Sequence, residues 1–316
     1  MLTRRSVIAA KIESTYNTDA TPSAVTDAFL VEDLSVKPAG ARMVQPNPVR
    51  PSLAMVQALF AGTLMVATFK QRVKGAGAAY SASVRPEVDV PLRVCAAGVT
   101  IDATVSAEKA TYKSVSDPSL HESGTFYAYK DGFLYKMTGC RGDADMANAV
   151  GENGFISFTI TGHCTGVIDT ALPTPTVDQV DPPSIVGLSV AIGGYAPVLS
   201  KYDFKLGNKI ITPPDANASD GYGEIRITGR ETLGSLDPEA VLVATHDFEA
   251  KWRAGTNMAL TSGMIGGTQY NRFKYDHPAA YYKELSEGDR DGVLTYEAGI
   301  GMVESSGDDE WSLEFS

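Results

Sequence analysis

The chain has 316 residues, of which 43% are hydrophobic and 21% are charged. This composition is sufficient for one large or two medium domains with their own cores, and it argues against global disorder or low complexity. The net charge of −11 argues against a protein that grips DNA or RNA by neutralising phosphates.

Apolar and polar residues alternate through most of the chain, and Gly, Pro, Asn and Asp separate the alternating runs. Aromatic and β-branched residues in this pattern predict a mainly β fold. The predicted strands of the first half are Val7–Ser14, Phe29–Lys37, Leu64–Arg72, Thr125–Tyr129, Leu134–Gly139 and Phe155–Thr161. Those of the second half are Ile185–Ile192, Tyr202–Leu206, Glu224–Thr228, Asn271–Tyr275, Leu294–Val303 and Trp311–Phe315.

One short helix is predicted in each half. In the first half, Pro91 restricts the helix to the residues that follow it, and Gly98 is the predicted stop. In the second half, Asp237 is the predicted N-cap, Pro238 the first helical residue and Gly255 the stop. No run approaches the roughly 18 apolar residues of a membrane helix, so membrane insertion is not expected.

The two halves echo each other. Each has a glycine that is followed four residues later by an aromatic residue, in the pairs Gly154 with Phe158 and Gly292 with Tyr296. Further matches are Lys37 with Lys205, Gly40 with Gly207, Val44 with Ile211 and Pro46 with Pro213. We infer an internal duplication, in which strand, proline-bearing loop, strand, helix and paired strands occur twice. The first copy is 29 residues longer between its landmarks, and such an insertion is expected in a surface loop.

A proline-rich connector, ALPTPTVDQVDPP, joins the predicted copies and should be stiff and extended. The predicted domains are therefore residues 1–181 and residues 182–316. The charge is uneven, because residues 1–180 have a net charge of −1 and residues 181–316 one of −10. A solvated acidic face explains this surplus, and so does a surface that repels a polyanion.

No catalytic, cofactor or metal site is predicted. The histidines are scattered and lack metal-ligand spacing: His121, His163, His246 and His277. The glycine-rich stretch Lys74–Ala79 lacks the phosphate-binding fingerprints, and Asp289 and Asp291 lack the remaining ligands of a calcium loop. Three cysteines, an odd number without paired spacing, are predicted to be buried apolar residues in a reducing compartment: Cys95, Cys140 and Cys164.

Two long loops, Lys37–Leu53 and Leu206–Tyr222, occupy corresponding places in the two halves and are rich in proline or glycine. They are too long for simple turns, so we expect contact with another subunit to order them. Together with the missing catalytic motifs, these loops favour a structural or binding protein.

The order of these motifs resembles the tail tube (major tail) proteins of bacteriophages with long, non-contractile tails. The segments that carry the resemblance are RRSVIAAKIESTYNTDATPSAVTDAFLVEDLSVKP, GFISFTITGHCTGVIDTALPTPTVDQVDPP, ITGRETLGSLDPEAVLVATHDFEAKWRAGTNMAL and EGDRDGVLTYEAGIGM. They span nearly the whole chain. One departure is Asn17, where a glycine is usual, and it affects a local turn.

The resemblance implies two tandem tube-type β-sandwich or barrel domains, each with one short flanking helix. It implies a virion protein, assembled in the host cytoplasm, whose rings stack around a channel for double-stranded DNA without binding it tightly. A two-domain chain would fill a sixfold ring with three copies. The implied partners are further copies, tail terminator, tape measure and tail-tip proteins, and the implied contacts between rings are Gln45, Pro46, Asn47, Pro48, Thr212, Pro213 and Pro214.

An alternative is a β-sandwich module that binds a receptor or carbohydrate at a phage tail tip or in an adhesin. Tyr127, Tyr129, Tyr281 and Tyr282 could stack on sugars, although ordinary cross-strand packing explains them as well. An enzyme has no motif to support it.

Overall fold

The computed structural model describes residue 2 and residues 5–316, and of Thr165 it describes the backbone alone. Met1, Thr3 and Arg4, which belong to the predicted first domain, lie outside the described residues. The strands of the first half are β1 (Ser6–Ile12), β2 (Ala28–Phe29), β3 (Glu32–Ala39), β4 (Met43–Val44), β5 (Leu59–Phe60), β6 (Leu64–Arg72), β7 (Ala97–Asp102), β8 (Lys109–Ser114), β9 (Gly124–Lys130), β10 (Phe133–Ala149) and β11 (Phe155–Asp169).

The strands of the second half are β12 (Ala191–Ile192), β13 (Lys201–Lys205), β14 (Asn208–Ile211), β15 (Arg226–Arg230), β16 (Leu233–Leu236), β17 (Met258–Thr261), β18 (Phe273–Arg290), β19 (Val293–Val303) and β20 (Ser312–Phe315). The described residues contain two α-helices, α1 (Asp89–Arg93) and α2 (Phe248–Ala254), and one 3-10 turn (Pro118–Leu120). The predicted mainly β fold is confirmed.

Most predicted strands overlap observed ones, and the predicted strand Leu64–Arg72 coincides with β6. The predicted strand Ile185–Ile192 is wrong, because only its last two residues form a strand. The chain turns at Gly187, whose φ is +68°, and Ile185 is fully buried as a single anchor rather than as part of an alternating run. Asn17, at the predicted local turn, has a φ of 57°, a left-handed conformation that asparagine tolerates better than most residues.

The first predicted helix is misplaced. Helix α1 begins before Pro91 and ends at Arg93, and the residues up to Gly98 enter strand β7. Proline is accommodated because it lies in the first turn, where a backbone N–H has no partner within the helix. The short helix is anchored by Asp89, whose carboxylate accepts a hydrogen bond from the buried Tyr112 hydroxyl at 2.8 Å.

The second predicted helix ends where expected but begins ten residues late. Gly255 is the C-cap with a φ of 58°, whereas Asp247, not Asp237, caps the start by accepting the Ala250 N–H. The carboxylate of Asp237 is instead committed to the N–H groups of Ser200 and Lys201. The hydrogen bonds of Asp237 to these distant residues therefore override its local signal as a helix N-cap.

Six strands of each half are paired in the same order, all antiparallel. The orders are β1-β9-β10-β11-β6-β3 and β12-β17-β18-β19-β16-β13. One cross-strand row of the first half is Val36, Ala67, Ile160 and Gly142, and the corresponding row of the second half is Phe204, Gly234, Ile300 and Tyr282. Ile160 and Ile300, in the third place of each row, are both buried.

The extra residues of the first half lie between α1 and β9, where they form the hairpin β7–β8. The sequence predicted that these residues lie in a surface loop. This prediction is wrong, because β8 pairs with β20 at the end of the second half. Ala110 and Tyr112 of β8 are fully buried. This hairpin therefore links the two halves.

The two halves also join directly, through an edge-to-edge pairing of β10 with β13. Met146 lies opposite Phe204 and Asn148 opposite Tyr202. The resulting strand order across both halves is β3-β6-β11-β10-β13-β16-β19-β18. One continuous cluster of buried side chains runs through both halves.

His277 of β18 lies inside this shared core. Its Nε2 bonds with the hydroxyl of Tyr202, and its Nδ1 lies 3.0 Å from the carbonyl oxygen of Glu310. Burial lowers the pKa of His277 to about 4 from its usual 6.5. The folded protein therefore holds this imidazole in its neutral form at neutral pH.

We expect His277 to make folding sensitive to mild acid. The unfolded chain binds the proton near pH 6.5 and the folded chain only near pH 4, so stability falls as the pH drops through this window and levels off below it. The loss due to this residue is about 3 kcal/mol. Urea unfolding at pH 7, 5.5 and 4.5 should show a steeper loss for the wild type than for His277→Gln. Equal pH dependence in the two proteins would contradict this role.

Candidate assembly surfaces

The two ends of the shared strand order are open edges. Among the described residues, β3 pairs on one side only, with β6. At the other end, β18 pairs with β17 and β20 only as far as Ala280, so residues 281–290 have one unpaired edge. Unpaired edges are templates for another strand, and here they occur at opposite ends of one sheet.

The hairpin β14–β15 and its flanks, residues 206–231, form a second arm that folds over the first half. Its strongest anchor is Arg141, which is 5% exposed. The Arg141 guanidinium donates to the Glu224 carboxylate at 2.9 Å, to the Ile225 carbonyl at 2.6 Å and to the His121 carbonyl at 3.1 Å. These charge-assisted bonds fix the arm across the middle of β10.

A second anchor of this arm is centred on His163 of β11. His163 Nδ1 lies 2.7 Å from the Asp220 carboxylate, and Nε2 lies 3.0 Å from the Tyr16 hydroxyl. That hydroxyl also accepts the N–H of Ile225 at 2.7 Å. Burial raises the pKa of Tyr16 to about 12, so its proton is retained at neutral pH.

The tip of the second arm reaches the end of β3. The Tyr222 hydroxyl donates to the carbonyl of Gly40, and the Arg42 guanidinium lies 3.9 Å from the centre of the Tyr222 ring. Leu64, Tyr222 and Ile225 form a small buried cluster of their own. The second arm is thus a packed element.

The matching hairpin β4–β5, residues 40–62, forms a first arm. In the described part of its own chain, this arm packs on no surface equivalent to the seat, which is the surface around Arg141 and His163 on which the second arm packs. Its large apolar side chains are exposed: Met43 58%, Val44 54%, Val49 106%, Leu53 105%, Met55 87%, Leu59 58% and Phe60 63%. Exposed apolar surface on this scale marks an interaction site rather than a random scatter of apolar side chains.

The residues expected to make contacts between rings lie on both arms. Gln45, Asn47, Pro48 and Pro214 are exposed, and Pro46, Thr212 and Pro213 are half-buried. Within the chain, the Gln45 side chain donates to the Val56 carbonyl at 2.6 Å, and the Pro213 carbonyl accepts the N–H of Gly223 at 2.8 Å. Each set lies on its own arm, and the tip of the second arm touches the base of the first, where the Arg42 guanidinium donates to the Gly221 carbonyl at 2.7 Å.

A groove of about 950 Å³ opens between the second half and the first-half residues His121 and Arg141. Its floor includes Tyr281, Met302 and Val303 from β18 and β19, and the base of the second arm forms one wall. Sequence reasoning did not find this groove, because the segments that line it, residues 115–121, 224–233 and 301–310, are far apart in the chain.

The residues considered for chemistry have structural partners. Each histidine is hydrogen-bonded, His121 to the Val115 carbonyl and His246 to the Tyr282 hydroxyl. Burial raises the pKa of the Cys95 and Cys140 thiols. Among the described residues, no group of three or more His, Cys, Asp or Glu could hold a metal ion, and no helix is long and apolar enough to cross a membrane.

The tyrosines of the carbohydrate alternative do not form one exposed platform. Tyr127, Tyr129 and Tyr282 are at most 9% exposed. Tyr281 is half-exposed and lines the groove. Stacking on a sugar needs open ring faces, which the buried three lack.

The family model described as phage tail tube protein matches residues 3–298 of the chain. The match covers both arms and most of both halves, and it ends before Met302 and Val303 of the groove. No curated protein matches the sequence. The resemblance to tail tube proteins, which rested on the order of weak motifs, is confirmed.

We expect Arg141→Gln to loosen the second arm. The change removes three hydrogen bonds to the arm and its seat, and we expect a loss of about 2 kcal/mol, because Glu224 is partly exposed and can be rehydrated. Limited proteolysis within residues 206–231 should become faster, and the urea midpoint should fall. Arg226→Gln is the matched control, since Arg226 bonds the same carboxylate at 3.2 Å from an exposed position. An equal response of both variants would contradict the anchor role.

Proposed function

The chain belongs to the phage tail tube protein family, and from that premise we propose that it assembles into stacked rings of three chains. As a member of this family it is a structural component of the virion tail. In the proposal, the rings enclose the channel through which double-stranded DNA is delivered. Each chain supplies two of six similar wall segments, and residues 1–181 and 182–316 are the two domains.

The observation that carries this proposal is the repeated strand order. The set β3-β6-β11-β10 is followed in the same sheet by the set β13-β16-β19-β18. The two sets are joined edge to edge through β10 and β13. If the same junction forms between the open edge of β18 and β3 of the next copy, three chains close a ring with three internal and three intermolecular junctions.

The charges along the open edges favour this pairing. In the internal junction Asp145 lies opposite Lys205. The corresponding register places the exposed Lys37 of the next chain opposite Ser286 and diagonal to the exposed Glu284. Opposite charges across strands stabilise a pair and help to fix its register.

The side of the sheet that faces away from the core is polar and suits a channel wall. The strands present Thr68, Thr159, Asp203 and Glu284 on that side, together with the exposed cations Lys70, Arg72, Lys201 and Lys205. Lys70 and Arg72 are paired with Asp33 and Glu32. Carboxylates repel DNA phosphates, and hydroxyl groups hold them only weakly, so DNA would slide rather than adhere. The uneven negative charge of the chain fits the same role.

The arms complete the proposed tube. The residues Gln45 to Pro48 and Thr212 to Pro214, which are exposed or half-buried, would contact the next ring. Tail terminator, tape measure and tail-tip proteins would meet the two ends of the stack, and assembly would take place in the host cytoplasm before the tail joins the virion.

The chain count per ring is directly measurable. Native mass spectrometry of isolated rings should give about three times the 33.5 kDa of one chain, and averaged images should show pseudo-sixfold symmetry. A ring of six chains would refute the proposal. A stable monomer that binds a glycan would instead support the receptor-binding alternative.

A second test concerns stacking. Deletion of Gln45–Arg50 removes the tip of the first arm but leaves the pairing of β4 with β5. We expect single rings to form and long tubes to be lost, as seen by negative-stain microscopy. Removal of the exposed side chain of Val105, between β7 and β8, serves as a control and should leave tubes intact. Normal polymerisation of the deletion variant would refute the contact between rings.

A further inference from the structure

The two arms are the same hairpin in two environments. In the first arm Val44 pairs with Leu59, in the second Ile211 pairs with Arg226, and 14 residues separate the partners in both. Residue n of the first arm therefore corresponds to residue n + 167 of the second. The alignment also matches Gly40 with Gly207, which have φ angles of +61° and +69°.

The buried apolar positions of the second arm correspond to exposed apolar positions of the first. Tyr222 and Ile227 are 6% and 9% exposed, whereas the matching Met55 and Phe60 are 87% and 63% exposed. Ile210 is half-buried, and its match Met43 is 58% exposed. The first arm thus has an apolar face of the kind that the second arm buries, but without a covering surface.

The seat of the second arm also has a counterpart. Arg141 pairs with Thr161 in β10 and β11, and Tyr281 pairs with Gly301 in the corresponding row of β18 and β19. Two residues further along, His163 of β11 corresponds to Val303 of β19. The counterparts Tyr281 and Val303 line the 950 Å³ groove.

The chemistry of arm and seat changes together. In the occupied seat, Asp220 bonds His163 and Glu224 bonds Arg141. The first arm has Leu53 in place of Asp220 and Gln57 in place of Glu224. The groove has Val303 in place of His163 and Tyr281 in place of Arg141. A hydrogen-bonded Asp–His pair is thus replaced by an apolar pair, and the ionic pair of Glu224 with Arg141 by an amide and a phenol.

The first arm of the same chain does not reach this groove. The arm is rooted between β3 and β6, and the groove lies at β16, β19 and β18, about five strands away in the sheet. At about 4.8 Å per strand this is roughly 24 Å. In a head-to-tail ring, however, β3 of the next copy lies beside β18 and brings its own first arm to the groove.

We propose that this groove is the docking site for the first arm of the neighbouring copy, with Leu53 against Val303 and Gln57 against Tyr281. The proposal rests on the head-to-tail arrangement described under Proposed function and names the surface that stabilises it. Burial of Met43, Met55 and Phe60 in this junction supplies the apolar area that favours association.

The docking is tested by replacing the proposed pair of Leu53 and Val303 with the Asp–His pair that holds the second arm. Leu53→Asp places an unpaired carboxylate against Val303 and should raise the concentration needed for half-maximal ring formation by about tenfold, measured by mass photometry. Val303→His alone should also weaken assembly. The double variant recreates the pair formed by Asp220 and His163 and should return the midpoint to within about threefold of the wild type.

Val105→Asp is the matched control, because Val105 is an apolar residue of the first half with 83% exposure and lies outside both arms. Circular dichroism should show unchanged folding for Leu53→Asp, since that side chain is fully exposed in the single chain. The docking would be overturned if Leu53→Asp formed rings at the same midpoint concentration as the control. It would also be overturned if the double variant assembled no better than the weaker of the two single variants. Failure of the wild type to form rings would instead overturn the ring proposal itself.

Discussion

The pairing of β10 with β13 is the constraint on which the remaining structure depends. Strand β10 is 17 residues long, and its outer edge pairs first with β9 and then, past a bulge, with β13. The second pairing places Phe204 and Tyr202 against the core of the first half. Without it, both halves would have an open edge at this point, and the second arm would have no seat.

Around this junction the polar side chains that become buried are largely satisfied in pairs. Arg230 bonds Glu310 and Asp308 of the second half, and it also donates to the Val115 carbonyl at 3.1 Å and the Ser116 hydroxyl at 3.0 Å in the first half. Burial of such groups is tolerated only when partners from both halves are in place. The halves should therefore fold as one cooperative unit rather than as two independent domains, even though their strand orders repeat.

The sequence contains the repeated elements but not the long-range contacts. Strand β6 and the cap at Gly255 were predictable, because period-two alternation and a left-handed glycine are local signals. The start of α2 was not, since the carboxylate of Asp237 binds backbone groups distant in the chain. The loops of the candidate site were found from their proline and glycine content, whereas the groove was missed because it depends on the register of β16, β18 and β19.

The difference between the two arms follows from how each one meets its seat. The second arm is tethered to its seat by the same chain, so the high effective concentration offsets the desolvation of the buried Arg141 and its partner Glu224. An arm that must find another molecule lacks this advantage and also bears the entropic cost of association. Apolar contact has no comparable desolvation penalty, and the exposed Leu53 and Met55 are suited to that task. In the proposed ring of three chains, ionic specificity is thus kept inside the subunit and apolar burial acts between subunits, with three intermolecular junctions instead of six.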